Sequence, residues 1–280
     1  MSTDPSFDPQ TDRAVRFLTP KLPFAPTVGL VLGSGLGPYA DRPPTRLVVP
    51  YADIPGFPRC GVEGHAGRLV LSDRCGPGAA MLQGRVHRYE GVSLDEATRP
   101  VRVLAALGVR TLLVTCAAGS LDGAEPGSLM LIEDHLNLMG DNPLIGRTAP
   151  GVARFVEMAE AYDAGLRDIA AAAAAEAGLA LRRGVLAALT GPTFETAAEA
   201  AMLRRLGAQA VSMSVVPEVI AARALGLKVL GLALLTNESG ASLKAGGSHE
   251  SVLAAAGRQT DAVGRLLDGI LRRLGGETRL

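Results

Sequence analysis

Cysteine is scarce in this sequence: Cys60, Cys75 and Cys116 are all it has. An odd number without paired spacing builds no disulfide framework and fits a reducing compartment. There is no C-x-x-C motif and no histidine cluster, so the ligand spacing of a structural zinc site is missing. An excess of one charge is missing too. The 28 basic and 28 acidic residues cancel, and no basic stripe stands out. Nucleic-acid binding draws its affinity from phosphate neutralisation, so neither a nucleic acid nor an anionic membrane surface is an expected partner. No apolar run approaches the roughly 20 residues of a membrane span. The first residues, MSTDPSFDPQTDRAV, lack the basic region and apolar core of a signal peptide. A cytoplasmic protein is therefore expected. No linker-like composition and no tandem repeat interrupts the 280 residues. They read as one domain, with 48% hydrophobic residues to fill its core.

What is present is organised around residues 191–237. Apolar strand-like runs alternate there with helix-like runs, and polar groups stand at the strand ends: Thr193 and Glu195, then Ser214 beside Met213, then Thr236 and Asn237. In open α/β sheets ligands bind beyond the carboxyl ends of the strands. Three such ends predict one pocket, in which Glu195 and Asn237 are best placed to read a ligand.

Taken in order, residues 7–18 predict a short helix with Phe7, Val15, Phe17 and Leu18 as its apolar members. The unbroken run VGLVL (28–32) predicts a strand buried on both faces. It ends in Gly33-Ser34-Gly35-Leu36-Gly37. Backbone N–H groups of such a loop can cradle an anion beside a following helix N-terminus, with Ser34 adding a hydroxyl. A dinucleotide loop would need glycine where Pro38 stands, and a P-loop would need lysine followed by serine or threonine; a plain tight turn stays open. Strands RLVLS (68–72), entered from Gly64-His65-Ala66-Gly67, and AAMLQ (79–83) follow. Beyond the second, Arg85, His87 and Tyr89 share one face if the chain stays extended. An arginine fork with a histidine donor suits a phosphate; a solvated edge is the alternative. Residues 93–107 predict a helix with Ser93 as N-cap and Glu96 at the capping-box position, kinked or bounded by Pro100. Strand TLLVT (111–115) leads to Cys116-Ala117-Ala118-Gly119-Ser120, small residues that let a ligand touch backbone. Cys116 reads as a buried, inert thiol. Strand LMLIE (129–133) precedes His135, read as structural. Then come a polar loop (141–153), an alanine-heavy helix (154–178) closed by Gly178, and strand GVLAAL (184–189). After Asn237, the glycine-rich residues 238–247 predict a mobile lid. A last helix spans 249–273, with Ser248 as N-cap and His249 either reaching a ligand or solvated.

The motifs GSGLG, GHAGRLV, QGRVHRYEG, AAGSL, DHLNL, GPTFET, GAQAVSMSVVPEV and LLTN, in this order, resemble the trimeric class of purine nucleoside phosphorylases. The resemblance runs from Val28 to the last helix, and the wider family includes methylthioadenosine phosphorylases. It implies a single-domain α/β fold with a mixed, partly barrel-like central sheet flanked by helices. It implies a pentosyltransferase reaction in which purine nucleoside and phosphate give free purine and pentose 1-phosphate. Ser34, His65, Arg85, His87, the backbone N–H of Ala117, and Ser214 match phosphate-binding positions. Phe194, Glu195, Asn237 and the backbone at Ala118 match the purine site. Tyr89, Met213 and His249 match ribose contacts. Asn237, Glu195 and His87 are the implied catalytic residues, and Phe155 matches an aromatic that enters the neighbouring subunit's site in a homotrimer. No metal or cofactor is implied, inorganic phosphate being a co-substrate. Cys116, Leu186 and Ser212 depart from the family pattern, which usually has asparagine, an aromatic and glycine there.

The chemistry fits these residue types. Rupture of a glycosidic bond builds positive charge on the sugar and leaves negative charge on the purine. Asn237 donating to N7 would act where that charge collects, and a bond that strengthens in the transition state raises rate. Hypoxanthine and guanine carry an N1–H that the Glu195 carboxylate can accept, whereas adenine presents only an acceptor. With Asn237 also able to donate to O6, the expected substrates are 6-oxopurine nucleosides such as inosine and guanosine, in ribo or deoxy form, rather than methylthioadenosine. A nucleoside hydrolase has no use for the phosphate clamp. A non-catalytic purine sensor on the same fold stays open, although keeping both the base-reading and the phosphate-clamping residues weighs against it.

Overall fold

The computed structural model describes residues 8–76, 78–146, 155–240 and 249–277. The chain's strands form one sheet in the order β2 (Leu47–Pro50), β3 (Arg68–Ser72), β4 (Ala79–Gln83), β1 (Val28–Leu32), β5 (Thr111–Ser120), β8 (Ala210–Ser212), β7 (Leu181–Ala188), β6 (Leu129–Asn137) and β9 (Lys228–Glu238). β9 also pairs in parallel with β5, which closes the last five strands of that order into a ring. β1 lies parallel to β4 and β5, while β3–β4 and β6–β9 are antiparallel. The sheet is thus mixed and partly barrel-like, as expected.

Helices cover both faces. α1 (Pro9–Leu18), α3 (Arg99–Ala106) and α6 (Val216–Ala224) pack on one, and α4 (Ala164–Glu176) and α7 (His249–Glu277) on the other. This is why VGLVL has no polar residue. Leu30 and Leu32 join Leu166 of α4 and Leu267 of α7 in one core, and Val31 joins Leu104 of α3 and Val219 of α6 in the other. No helix among the described residues is long and apolar enough to cross a membrane.

Several elements differ from expectation. Residues 93–107 form two helices, α2 (Leu94–Ala97) and α3, divided at Thr98. Ser93 Oγ does accept from Glu96 N–H at 3.2 Å, and Pro100 bounds α3 in its first turn, where a missing N–H costs nothing. The alanine-rich helix begins only at Ala164, where Asp163 Oδ1 accepts from Leu166 N–H at 2.9 Å. β5 runs on through Cys116–Ser120 because β9 pairs along its whole length, and β6 runs on through Asn137 beside β7. Ladder partners from afar override weak local propensity in both. The glycine loop leads into a short 3-10 turn, Gly37–Asp41, so no α-helix N-terminus backs it. Phe7, residues 147–153 of the polar loop, residues 241–247 of the expected lid, and Ser248 lie outside the described residues.

Candidate active site

A cavity of about 330 Å³ opens at the ends of β1, β4, β7, β8 and β9 and along β5. Its lining brings together Ser34, Arg85, His87, Tyr89, Ala117, Ala118, Phe194, Glu195, Met213, Ser214 and Asn237. The expected convergence of three strand ends is therefore met. His65 sits just behind the wall. The side chain of His249 lies outside the described residues, and Phe155 lines a different cavity.

One half of the cavity is built for an anion. Thr115 of β5 donates to Val31 O at 2.9 Å and accepts from Gly33 N–H at 3.1 Å, fixing the start of the glycine loop. A Cβ on Gly33 would stand 2.9 Å from Arg85 Nη1 and 2.7 Å from Thr115 O, so only glycine admits the guanidinium here. Arg85 Nη1 donates to Thr115 O at 2.7 Å and to Ser214 Oγ at 3.3 Å. Its Nε forms a buried ion pair with Glu218 Oε1 at 2.7 Å. Its Nη2 is buried with no hydrogen-bond partner among the described residues. Such a group is rare in folded proteins and calls for an explanation. Between Ser214 and Glu218 the chain makes a three-residue turn, with Val216 N–H donating to Ser214 O at 2.9 Å and Val215 at φ 72°, ψ −55°. A β-branched residue is strained in this region, and such strain collects at functional sites. The turn swings the chain from β8 into α6, so that Ser214 and Glu218 both reach Arg85.

Arg85, His87 and Tyr89 line the cavity, but not as one extended face: Arg88–Glu90 is a 3-10 turn. The rings of His65, His87 and Tyr89 form a stack, with centroids 5.2 Å and 4.7 Å apart. Glu90 fixes the middle ring. Its Oε1 lies 3.1 Å from His87 Nδ1 and accepts from His87 N–H at 2.7 Å, and its Oε2 accepts from Gly61 N–H at 2.9 Å. Burial pushes the Glu90 carboxyl up, but these hydrogen bonds outweigh it and hold the group below its ordinary value. With Nδ1 committed to Glu90, Nε2 is the His87 nitrogen left for a ligand. Burial, then the charges of His87 and Arg85, push His65 down to about 4, so its ring is neutral near pH 7. His65 Nε2 lies 3.1 Å from Ser34 Oγ, and Nδ1 lies 2.8 Å from Arg85 O and 3.2 Å from Arg85 N. A proton on Nδ1 donates to Arg85 O and lets Ser34 donate to Nε2. A proton on Nε2 donates to Ser34 Oγ and frees the serine hydroxyl for an anion.

The other half offers amide and carboxylate. The β5–β9 register slips between Ala118 and Gly119, leaving Thr236 without a partner residue. This bulge lets the consecutive Thr236 and Asn237 both face the cavity, which regular alternation forbids. Thr236 Oγ1 donates to Asn237 Oδ1 at 3.0 Å, leaving the Nδ2 amide as donor to a ligand. Ser239 Oγ donates to Glu195 Oε2 at 2.5 Å. Phe194 is partly exposed beside them.

Cys116 is buried, and burial pushes its thiol up to about 11, consistent with an inert role. Ser212 Oγ donates to Ala117 O at 3.1 Å and lies 3.2 Å from Ser214 Oγ, so the departure from glycine adds a tie across the anion half. A second cavity, about 690 Å³, is lined by His135 and by Phe155, which is 90% exposed. His135 Nδ1 lies 3.2 Å from Tyr162 Oη. Glu218, Glu90, Thr115 and Ser239 escaped the sequence reading. Only Glu90 carried a local signal, three residues after His87.

Residues 27–272 match the family model described as the phosphorylase superfamily. The chain is 49% identical over 245 residues to purine nucleoside phosphorylase 1 of Geobacillus stearothermophilus, covering 86% of this chain and 89% of that one. It is similar to a solved structure of isoform 2 of purine nucleoside phosphorylase from Schistosoma mansoni in complex with cytosine and ribose-1-phosphate. The TM-score is 0.89 at 37% identity, covering 95% of this chain and 96% of that one. A schistosoma purine nucleoside phosphorylase structure in complex with hypoxanthine matches with a TM-score of 0.89 at 32% identity, over 98% and 99% of the two chains.

Proposed function

The chain belongs to the phosphorylase superfamily, and within it to the purine nucleoside phosphorylases; on that premise we propose that it phosphorolyses 6-oxopurine nucleosides. Inosine and guanosine, or their deoxy forms, react with inorganic phosphate to give free base and pentose 1-phosphate. A phosphate oxygen bonds to C1′ as the bond from C1′ to N9 breaks, and the electron pair leaves with the purine.

The observation that carries this reading is Arg85 Nη2, a buried donor with no hydrogen-bond partner among the described residues, in the same cavity as Glu195 and Asn237. We assign phosphate to Ser34, Arg85, His87, the Ala117 backbone and Ser214, with His65 acting through Ser34. Tyr89 and Met213 take the ribose, together with His249. Phe194 and the Ala118 backbone flank the base. Asn237 donates to N7 and O6, and Glu195 accepts from N1–H. The sugar cation is met by the phosphate itself, so no metal or other cofactor enters. The choice of a 6-oxopurine is supported by the residue pair itself, an amide that can donate to O6 and a carboxylate that can accept from N1–H. A homotrimer is the proposed assembly, supported by Phe155 standing 90% exposed beside an apolar cavity. Cytoplasmic residence accords with three free cysteines.

The test is hypoxanthine release from inosine with and without phosphate. Release only with phosphate, with ribose 1-phosphate formed, is expected. Equal release without phosphate would make the protein a hydrolase, and binding without turnover would make it a purine sensor.

A further inference from the structure

Ser239 follows the Asn237-Glu238 pair and is 3% exposed. Its backbone is held from several sides. Its N–H donates to Ser120 O at 2.8 Å. Its carbonyl accepts from Arg204 Nη2 at 3.3 Å, and the same arginine donates from Nε to Leu121 O at 2.5 Å. The next residue, Gly240, lies flat on α5 (Ala197–Arg205): a Cβ there would stand 2.6 Å from Ala200 Cβ. The Ser239 hydroxyl is therefore a fixed donor, and it is spent on Glu195 Oε2 at 2.5 Å. Glu195 Oε1 has no such partner among the described residues.

We propose that Ser239 is a positioning and specificity residue that makes Glu195 a single-acceptor reader and so favours hypoxanthine nucleosides over guanine nucleosides. The proposal rests on the functional reading above. A base with N1–H alone needs one carboxylate oxygen, and Oε1 supplies it. A base that adds a 2-amino group presents two donors on that edge and needs both oxygens. Its second donor must share Oε2 with the fixed Ser239 hydroxyl, so two donors compete for one oxygen and for the room beside it. Hydrogen bonds to a carboxylate are strong and directional, so the preset geometry helps the single donor and hinders the pair.

The experiment compares kcat/KM for inosine and guanosine, and KM for phosphate, in the wild type, Ser239→Ala and Ser239→Thr. Wild type should prefer inosine. Ser239→Ala should move the guanosine-to-inosine ratio up by about tenfold, the scale of one charged hydrogen bond, with KM for phosphate unchanged. Ser239→Thr, which keeps a hydroxyl, should retain the wild-type ratio. A wild type that prefers guanosine, an unchanged ratio in Ser239→Ala, or a change in phosphate KM of the same size would overturn the proposal. Calorimetric binding of hypoxanthine and guanine to the same three proteins reads the same ratio without turnover. Absence of phosphorolysis would thus sink the functional reading while this one is still judged.

Discussion

Arg85 and Glu218 meet as a buried ion pair, Nε to Oε1 at 2.7 Å, so the guanidinium that faces the cavity has a counter-charge before any anion arrives. Removing one partner of such a pair leaves a buried charge uncompensated, at a cost of about 3 kcal/mol or more. Glu218→Ala should therefore lower thermal stability markedly in phosphate-free buffer. Phosphate should restore part of it, because the anion supplies the missing charge. Melting curves with and without phosphate check this: the phosphate-induced rise in Tm should be larger in the variant than in the wild type. An equal rise would separate Glu218 from the anion site.

Glu195→Ala removes the acceptor proposed for N1–H. The kcat/KM for inosine and guanosine should fall by roughly a hundredfold, about 2.7 kcal/mol, the range of a hydrogen bond to a charged group. KM for phosphate should hardly move. Near-wild-type turnover of both nucleosides would mean that the base is read elsewhere.

Asn237→Asp exchanges a donor amide for an acceptor carboxylate at the position proposed to face O6. Selectivity should shift toward 6-aminopurine nucleosides, by about tenfold or more in the inosine-to-adenosine ratio of kcat/KM. Thr236 donates to Asn237 Oδ1, and an aspartate keeps that oxygen, so the shift should come without loss of the fold. Steady-state kinetics with both nucleosides decide the matter, and an unchanged ratio defeats the assignment.

The strands were legible where burial on both faces leaves a run of apolar residues, as in VGLVL, RLVLS and AAMLQ, whose bounds match β1, β3 and β4. Ser34, Arg85, His87, Ser214 and Asn237 were legible because each stands at or just past the end of a strand-like run, whereas Phe194 came only from the resemblance of its motif. What the sequence hid was pairing at a distance. The small residues Cys116–Ser120 have little strand propensity of their own and are strand only because β9 lies alongside. The alanines after Ala170 announce a helix but not its start, which Asp163 sets by capping Leu166. Glu218 and Ser239 act by orienting Arg85 and Glu195, residues far away in the chain, and nothing near them in sequence marks that duty.

His65 yields a prediction in pH. Its folded value, about 4, lies below the ordinary 6.5, so between those values the unfolded chain binds more protons than the folded one. Stability then rises with pH across that window and levels off above it. His65→Gln should flatten part of this slope. The check is the difference between wild-type and variant Tm measured from pH 4 to pH 8. Carboxylates common to both proteins, Glu90 among them, cancel in that difference. A difference that is constant with pH would mean that His65 titrates alike in the folded and unfolded chain.

Closure of the β5–β9 ring has a bearing on how the chain behaves in a crowded solution. A strand bonded on both sides offers no template to another chain, and aggregation by strand addition needs a free edge. Among the described residues the sheet ends on β2, whose outer side has no partner strand. β2 is only four residues long and finishes in Pro50, and proline cannot extend a ladder. The architecture that gathers the cavity's walls therefore also leaves the molecule a short, blunted edge through which to polymerise.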